Sequence, residues 1–383
     1  MSHEKMTKLC RPSSILVSNG EVFIADMMNH RVRKLLRNGQ LVTIAGSGIK
    51  GYNGDDQLAT DAQLYYPYSI AVSSSNQVYI SEMHGNRIRK IDCNGMISTI
   101  AGTGIGGYNG DDKLAVNAQL NIPFGLFVTE DEEVLFADYE NCRVRRIDRN
   151  GIISTIAGNG KHRYNGYDEL GIIGDDGEGD GQLATSIPLN NPTSVFQYRN
   201  DIYFTETGSG GIRKIDRNSI ISTIAGTGSE NNYPESVLVH NDQVYFSDRL
   251  IHRVRTVLPN GTIQTIAGTE KGEFNGDDML ATDTSLRRPC GIFIDATDGQ
   301  IYIADSDNHC IRRMDRNGMM KIIVGTGGKN GYSGDVPFDF EKYPHVGPPK
   351  KPTIKPFPNY YHDLIVKYQS MDGYEPSRKK IKQ

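Results

Sequence analysis

A short apolar run closed by a carboxylate occurs six times along the chain: Val22–Asp26, Val78–Glu82, Val134–Asp138, Ile202–Glu206, Val244–Asp248 and Ile301–Asp305. Each run is rich in β-branched and aromatic residues, which is strand composition. Successive acids lie 56, 56, 68, 42 and 57 residues apart, so units of constant core are joined by connectors of unequal length. Repetition on this scale, with no helical periodicity between copies, excludes most folds before any local motif is read.

Every copy is framed alike. A proline stands 14 to 16 residues before each acid, at Pro12, Pro67, Pro123, Pro192, Pro234 and Pro289. An arginine stands seven residues after it, at Arg33, Arg89, Arg145, Arg213, Arg255 and Arg312. Segments such as Ser69–Val72 and Gly291–Ile294 read as a first strand, the acid-ended run as a second and the Arg-bearing segment as a third. Asn-Gly follows at 38–39, 94–95, 150–151, 260–261 and 317–318, with Asn218-Ser219 in the fourth unit. That dipeptide predicts a two-residue type I′ turn into a fourth strand such as "STIAG". Four antiparallel strands repeated six times predict an all-β chain, a six-bladed β-propeller over residues 1–336.

The unit, almost whole at Pro289–Met314, has the pattern P-x-G-h-x-h … h-Y-h-A-D-x-x-N-H-R-h-R-K-h and resembles the NHL repeat. The "TIAGTG…GYNGDD…A…AQL…P" extension is similar to that of microbial NHL proteins and teneurin NHL domains. The resemblance covers residues 9–335 and implies first strands around a central channel, in a module used for sensing or interaction. The fifth unit lacks the long connector, and no complete seventh unit follows the sixth. Ring closure therefore has three candidates: residues near Met6–Cys10, part of the tail, or direct packing of the first and last blades.

Residues 337–383 hold eight of the sixteen prolines and nine Lys/Arg against five Asp/Glu. This tail is thus +4, predicted extended or disordered, and it leaves −8 on residues 1–336. A body so acidic argues against nucleic-acid partners, and so against RNA binding of the kind the resemblance offers as one alternative. The five cysteines show no C-x-x-C spacing and read as free thiols. No apolar run reaches the ~18–20 residues of a membrane span, and the first residues form no apolar leader. The expectation is a cytoplasmic monomer away from membranes, with the terminal "RKKIKQ" as a weak nuclear address.

Four chemical signals compete with the scaffold. The acids Asp26, Glu82, Asp138, Glu206, Asp248 and Asp305 with their +7 arginines form a ring, and its sixfold recurrence points to structural pairing within each blade. His30, His252 and His309 stand four residues after three of the acids. The resemblance brings in lyase relatives with histidine-held zinc, and with them a metal-dependent lyase or lactonase-like hydrolase as an alternative function. Equivalent turns of neighbouring blades, about 10 Å apart, are too distant to share one ion with ~2 Å bonds. G-x-G-x-x-G at Gly46–Gly51 and Gly102–Gly107 follows a last strand and opens no βαβ unit, so it is no dinucleotide site. The paired aspartates Asp55/Asp56, Asp111/Asp112, Asp175/Asp176 and Asp277/Asp278 precede "xLAT"-type segments. One of each pair is expected to N-cap a short helix whose Leu114, Ala115 and Ala118 pack on the blade.

Asp176, Glu178 and Asp180 fall at calcium-loop positions, but Ile187 stands where the bidentate Glu belongs, so an EF-hand is rejected and a looser cation site is the weaker alternative. No cofactor is predicted; calcium and zinc are the minor alternatives. Up-and-down strand order places the turn after each acid on the same face as the connectors. The leading expectation is a non-enzymatic scaffold whose acidic connector face, through these aspartates, binds a protein, a basic peptide or a small ligand.

Overall fold

The computed structural model describes residues 8–162, 179–226 and 233–328. They form six antiparallel sheets, each built in chain order from four consecutive strands. In blade 1 these are Pro12–Ser18, Glu21–Asp26, Arg31–Leu35 and Leu41–Ala45. First strands of blades 2 to 6 begin at Pro67, Pro123, Pro192, Pro234 and Pro289, and the second strand of every blade ends on its predicted acid. Each first strand contacts those of its two neighbours, and blade 6 contacts blade 1, so the described residues close into the expected six-bladed propeller. Residues 337–383 lie outside the described set.

The apolar residues form one layer per junction. Leu16, Phe23 and Val32 of blade 1 pack on Ile70, Ile80 and Ile97 of blade 2. The sixth junction sets Leu9, Ile15 and Ile24 against Tyr302, Ala304 and Ile311. Alternation along each strand sends apolar residues to both neighbouring blades, so both faces of every sheet are covered. Closure comes from this packing and from residues around Leu9–Arg11, with no strand exchanged between the first and last blades among the described residues.

Two local expectations are corrected. Gly39, Gly95, Gly151, Gly261 and Gly318 have positive φ, but their preceding asparagines do not. In blade 2 the Gly95 amide donates to the Asp92 carbonyl and the Asp92 amide to the Met96 carbonyl. This is a three-residue loop, a type I turn closed by a left-handed residue, not the predicted type I′. Asp92 Oδ1 accepts from the Asn94 and Met96 amides, an extra hold that a two-residue turn would lack. Ser219 takes the left-handed position in blade 4 with φ of 63°.

The connectors do not form helices capped by aspartate. Gln57–Leu58, Lys113–Leu114 and Met279–Leu280 are two-residue strands that pair with the start of the outer strand in blades 2, 3 and 6. Those blades therefore have five strands, and the connector covers an edge that would otherwise be bare. Strand alternation exposes Leu114, which was expected to pack, and buries Ala115 and Ala118. The short 3-10 turn Ala115–Asn117 has Leu114 at its cap position and no side-chain cap.

The glycine motif that resembles a nucleotide fingerprint is steric. Gly102 has φ of 92°, and a Cβ there would stand 2.1 Å from the Asn86 carbonyl oxygen. Gly95 has φ of 78° and open space around it. Gly102→Ala is expected to cost roughly 3 kcal/mol or more, and Gly95→Ala about 1–2 kcal/mol, in parallel urea titrations. Equal costs would mean that the close approach to Asn86 is not what requires Gly102.

Candidate functional site

The acid ring is internal bracing. One carboxylate oxygen accepts an amide from the segment entering the same blade: Cys10 to Asp26 (2.7 Å), Asn121 to Asp138 (2.8 Å), Asn190 to Glu206 (2.7 Å) and Arg287 to Asp305 (2.7 Å). The Tyr65 amide reaches Glu82 and the Tyr233 amide reaches Asp248 in the same way. The other oxygen faces the +7 guanidinium, at 2.8 Å for Glu206–Arg213, 2.9 Å for Asp305–Arg312 and 3.2 Å for both Asp138–Arg145 and Asp248–Arg255. Glu82–Arg89 and Asp26–Arg33 are looser, at 3.7 and 3.8 Å. Burial pushes the Asp26 and Asp305 carboxyls up to about 6 and Glu82 up to about 7, outweighing the arginines and amides that oppose it.

Three connector aspartates serve the same arginines. Asp55 Oδ1 accepts from Arg89 (2.8 Å) and Thr99 (3.0 Å), and Asp111 Oδ1 accepts from Arg145 (2.7 Å). Asp180 takes this place in blade 4, with Arg213 at 3.0 Å and the Thr223 amide at 2.9 Å. Asp277 accepts from the Ile322 amide, in the register of Thr99. The counterpart of Asp55/Asp56 in this unit is therefore Asp180-Gly181, and the Asp175/Asp176 pairing by sequence was misaligned. Asp175, Asp176 and Glu178 lie outside the described residues, while Asp180 is committed to Arg213 rather than poised for a cation. Asp56, Asp112 and Asp278 are exposed and occupy a left-handed position, with φ of 56°, 55° and 57°, that Gly181 fills in blade 4. All sit beside the outer strand of a blade, away from the channel.

The histidines are ties between blades. His30 Nδ1 accepts from the Tyr66 amide, His252 Nδ1 from Arg288 and His309 Nδ1 from Arg11. Asn86 does the same for Ile122. Each residue of this kind is left-handed and reaches the residue before the next blade's proline. His309 to Arg11 makes that link across the ring's closing junction. Among the described residues, no three His, Cys, Asp or Glu side chains converge as a metal site.

With the repeated residues so occupied, the departures from the repeat stand out, and they gather around the axis. A narrow space on the axis is lined by first-strand residues of all six blades, among them Ser14, Ser69, Gly125, Ser194, Glu235 and Gly291. At the connector end, aromatic side chains fill the ring: Tyr68 and Phe124 lie 4.4 Å apart, and Phe124 and Tyr139 4.7 Å apart. Tyr139 also hydrogen-bonds to Tyr233, linking blade 3 to blade 5 across blade 4. Beside this plug, where blades 5, 6 and 1 meet, lies a charged cluster. Arg11 Nε is 2.9 Å from Asp307, Arg288 is 3.4 Å from the same carboxylate, and Arg249 is 3.5 Å from Glu235. Arg11, Glu235, Arg249 and Asp307 are all more than nine-tenths buried.

Sequence reasoning passed over these five residues because it searched for recurrence. Their signal was the reverse: an ion at an aligned position where most other units carry something else, as Arg249 does against Met27, Met83, Tyr139, Thr207 and Ser306. Arg31, Arg87 and Arg143 open the third strands of blades 1 to 3 and donate to backbone carbonyls, one of them just past the outer strand, with no carboxylate partner among the described residues. On the opposite face, Glu130, Asp131, Glu132 and Glu133 occupy the loop between the first and second strands of blade 3.

Residues 48–105 match the family model described as the teneurin NHL domain, and residues 286–314 match that of the NHL repeat. Mouse teneurin-4 is 25% identical over 348 residues, which cover 85% of this chain and 11% of teneurin-4. Human NHL repeat-containing protein 2 is 25% identical over 374 residues, covering 90% of this chain and 44% of the relative. The chain thus spans less than half the length of either relative. A solved gluconolactonase from Xanthomonas campestris superposes with a TM-score of 0.54 at 12% identity, covering 83% of this chain and 87% of that one. At that identity the likeness is one of fold.

Proposed function

This chain belongs to the NHL-repeat β-propellers, and we propose that it is a non-enzymatic binding module that engages a protein partner at the connector-face mouth. One observation carries the reading. The repeated polar residues are used up in bracing the blades, whereas Arg11, Glu235, Arg249, Arg288 and Asp307 depart from the repeat and cluster at one place on the axis. Loops on a rigid scaffold are where such folds present recognition groups. The lyase and lactonase alternatives rest on shared fold, and the axis here carries aromatic packing and ion pairs.

The test is affinity capture with the full chain and charge reversals at three places. Arg253→Glu with Arg288→Glu should abolish recovery of a partner. Asp112→Lys with Asp278→Lys at the blade edges, and Glu132→Lys on the opposite turns, should leave it intact. Loss with the edge or opposite-face variants, and retention with the mouth variants, would relocate the binding surface.

A further inference from the structure

We infer that the outer edge of blade 1 is a binding seat for segment 331–335 of this same chain, with Tyr332 placed on Arg31 and Asp335 on Arg33. The segment lies outside the described residues, and its seat lies within them. The pattern Tyr/Phe-Asn/Ser-Gly-Asp occurs four times, at 52–55, 108–111, 274–277 and 332–335. Each of the first three copies leads into the two-residue strand that covers the blade its connector enters, blades 2, 3 and 6. The fourth follows blade 6, and in a closed ring the next blade is blade 1.

The described copies show what such a segment touches. In blade 3 the Gly107 carbonyl, just before the tyrosine, accepts from the Asn141 side chain (2.7 Å). The Tyr108 ring centre lies 3.7 Å from the Arg143 guanidinium. The Gly110 carbonyl and Asp111 then accept from Arg145, at 3.0 and 2.7 Å. Blade 2 repeats the ring over Arg87 (3.8 Å) and both bonds to Arg89 (3.0 and 2.8 Å). Blade 6 repeats the asparagine bond, Asn308 to the Glu273 carbonyl (3.1 Å), and sets Phe274 over Arg312 (4.9 Å).

Blade 1 holds the same receiving groups, unfilled among the described residues. The Asn29 side-chain amide donates to Asp26 alone, whereas Asn141 and Asn308 donate both to their blade's acid and to a connector carbonyl. The Arg33 guanidinium makes no hydrogen bond and faces Asp26 at 3.8 Å; its side chain is 13% exposed, against 0% for Arg89, Arg145 and Arg312. Leu41 is half-buried, while Ile97, Ile153 and Met320 at the same place in their sheets are fully buried. Largely buried donors without acceptors cost stability until a partner reaches them, and a carboxylate suits a guanidinium best. The chain can supply one. A Cβ on Gly325 would stand 2.4 Å from the His309 carbonyl oxygen, as one on Gly102 would stand 2.1 Å from that of Asn86, so the connector leaves blade 6 as its counterpart leaves blade 2. Asp335 lies ten residues beyond Gly325, and the three counterparts span nine, so the reach suffices. Blade 1 also has the far end of a connector: Leu9 is as fully buried as Leu64, and the Cys10 amide braces Asp26 as the Tyr65 amide braces Glu82.

The test uses the full chain. In urea titrations, Asp335→Asn should raise the unfolding constant about fivefold in the wild-type background and leave it unchanged in Arg33→Gln, because the contact is already gone. In Arg255→Gln, whose arginine belongs to blade 5, the fivefold effect should persist. A photoreactive phenylalanine analogue at position 332 gives a second reading that holds even if Arg33→Gln does not fold. Its cross-links are expected at residues 29–45 of the same molecule. The inference falls if Asp335→Asn leaves unfolding of the wild type unchanged, or if its effect is equally large in Arg33→Gln. It falls if Glu4→Gln, rather than Asp335→Asn, is the substitution that couples to Arg33, which would hand the seat to the first residues of the chain. Cross-links that map outside blade 1 would overturn it. So would links between light and heavy isotope-labelled molecules in a mixture, which would make the occupant a second copy.

Discussion

Arg145→Ala is expected to lower folding stability by about 3–5 kcal/mol, the range for removing one partner of a buried ion pair. The Arg145 side chain is fully buried and holds four groups from three segments. Nη1 donates to Asp138 (3.2 Å) and the Gln119 carbonyl (3.2 Å), and Nη2 to the Gly110 carbonyl (3.0 Å) and Asp111 (2.7 Å). Alanine leaves Asp138 buried with the Asn121 amide and the Asn141 side chain as its remaining donors, and opens a cavity beside them. Asp111→Asn removes a partner that is about one-fifth exposed and should cost about 1 kcal/mol. Urea unfolding of both variants measures the contrast. A cost for Asp111→Asn as large as that for Arg145→Ala would overturn the view that the inner acid sets the requirement for Arg145.

The contrast also shows what the sequence could disclose. Every unit carries the proline, the acid and an arginine seven residues after the acid, and geometry needs them everywhere, so fold and bracing were legible together. The connector aspartates were seen, but their role was not. An Asp before a short apolar segment reads equally as a helix cap or a surface charge. Its actual partner, Arg145 for Asp111, lies 34 residues away and is met only when the connector runs along the outer strand. The misaligned pair in the fourth unit follows from the same cause. "DDGEGDG" offers several acids, and the one that matters is fixed by Gly181, which fills the left-handed position taken elsewhere by the second aspartate.

The mouth was hidden for a different reason. Net charge averages over faces, and −8 on residues 1–336 says nothing of which charges end up side by side. Arg11, Arg249 and Arg288 lie far apart in sequence and become one feature when the last blade meets the first. A repeat alignment points to such a site through its exceptions, and the exceptions acquire meaning once the ring supplies adjacency.

At neutral pH, Asp307→Asn is expected to destabilise the chain by about 3 kcal/mol, because it leaves Arg11 and Arg288 facing one another without their shared carboxylate. Burial alone would raise the Asp307 carboxyl, but Arg11, then Arg288, Arg249 and His309, hold it down at about 2 against an ordinary 3.8. A carboxyl depressed in the folded state contributes stability that is complete above its ordinary value and lost as pH falls through the folded one. The difference between wild type and Asp307→Asn should therefore stay constant from neutral pH to about 4, shrink between 4 and 2, and vanish below. Subtracting one protein from the other cancels the raised carboxyls of Asp26 and Glu82, which the Asp307 charge does not reach and whose contributions run in the opposite direction. Arg11→Ala should cost a similar amount, and the double variant less than the sum, since both substitutions remove one clasp across the same junction. A difference that persists undiminished at pH about 2 would mean that shape, rather than charge, holds the last blade to the first.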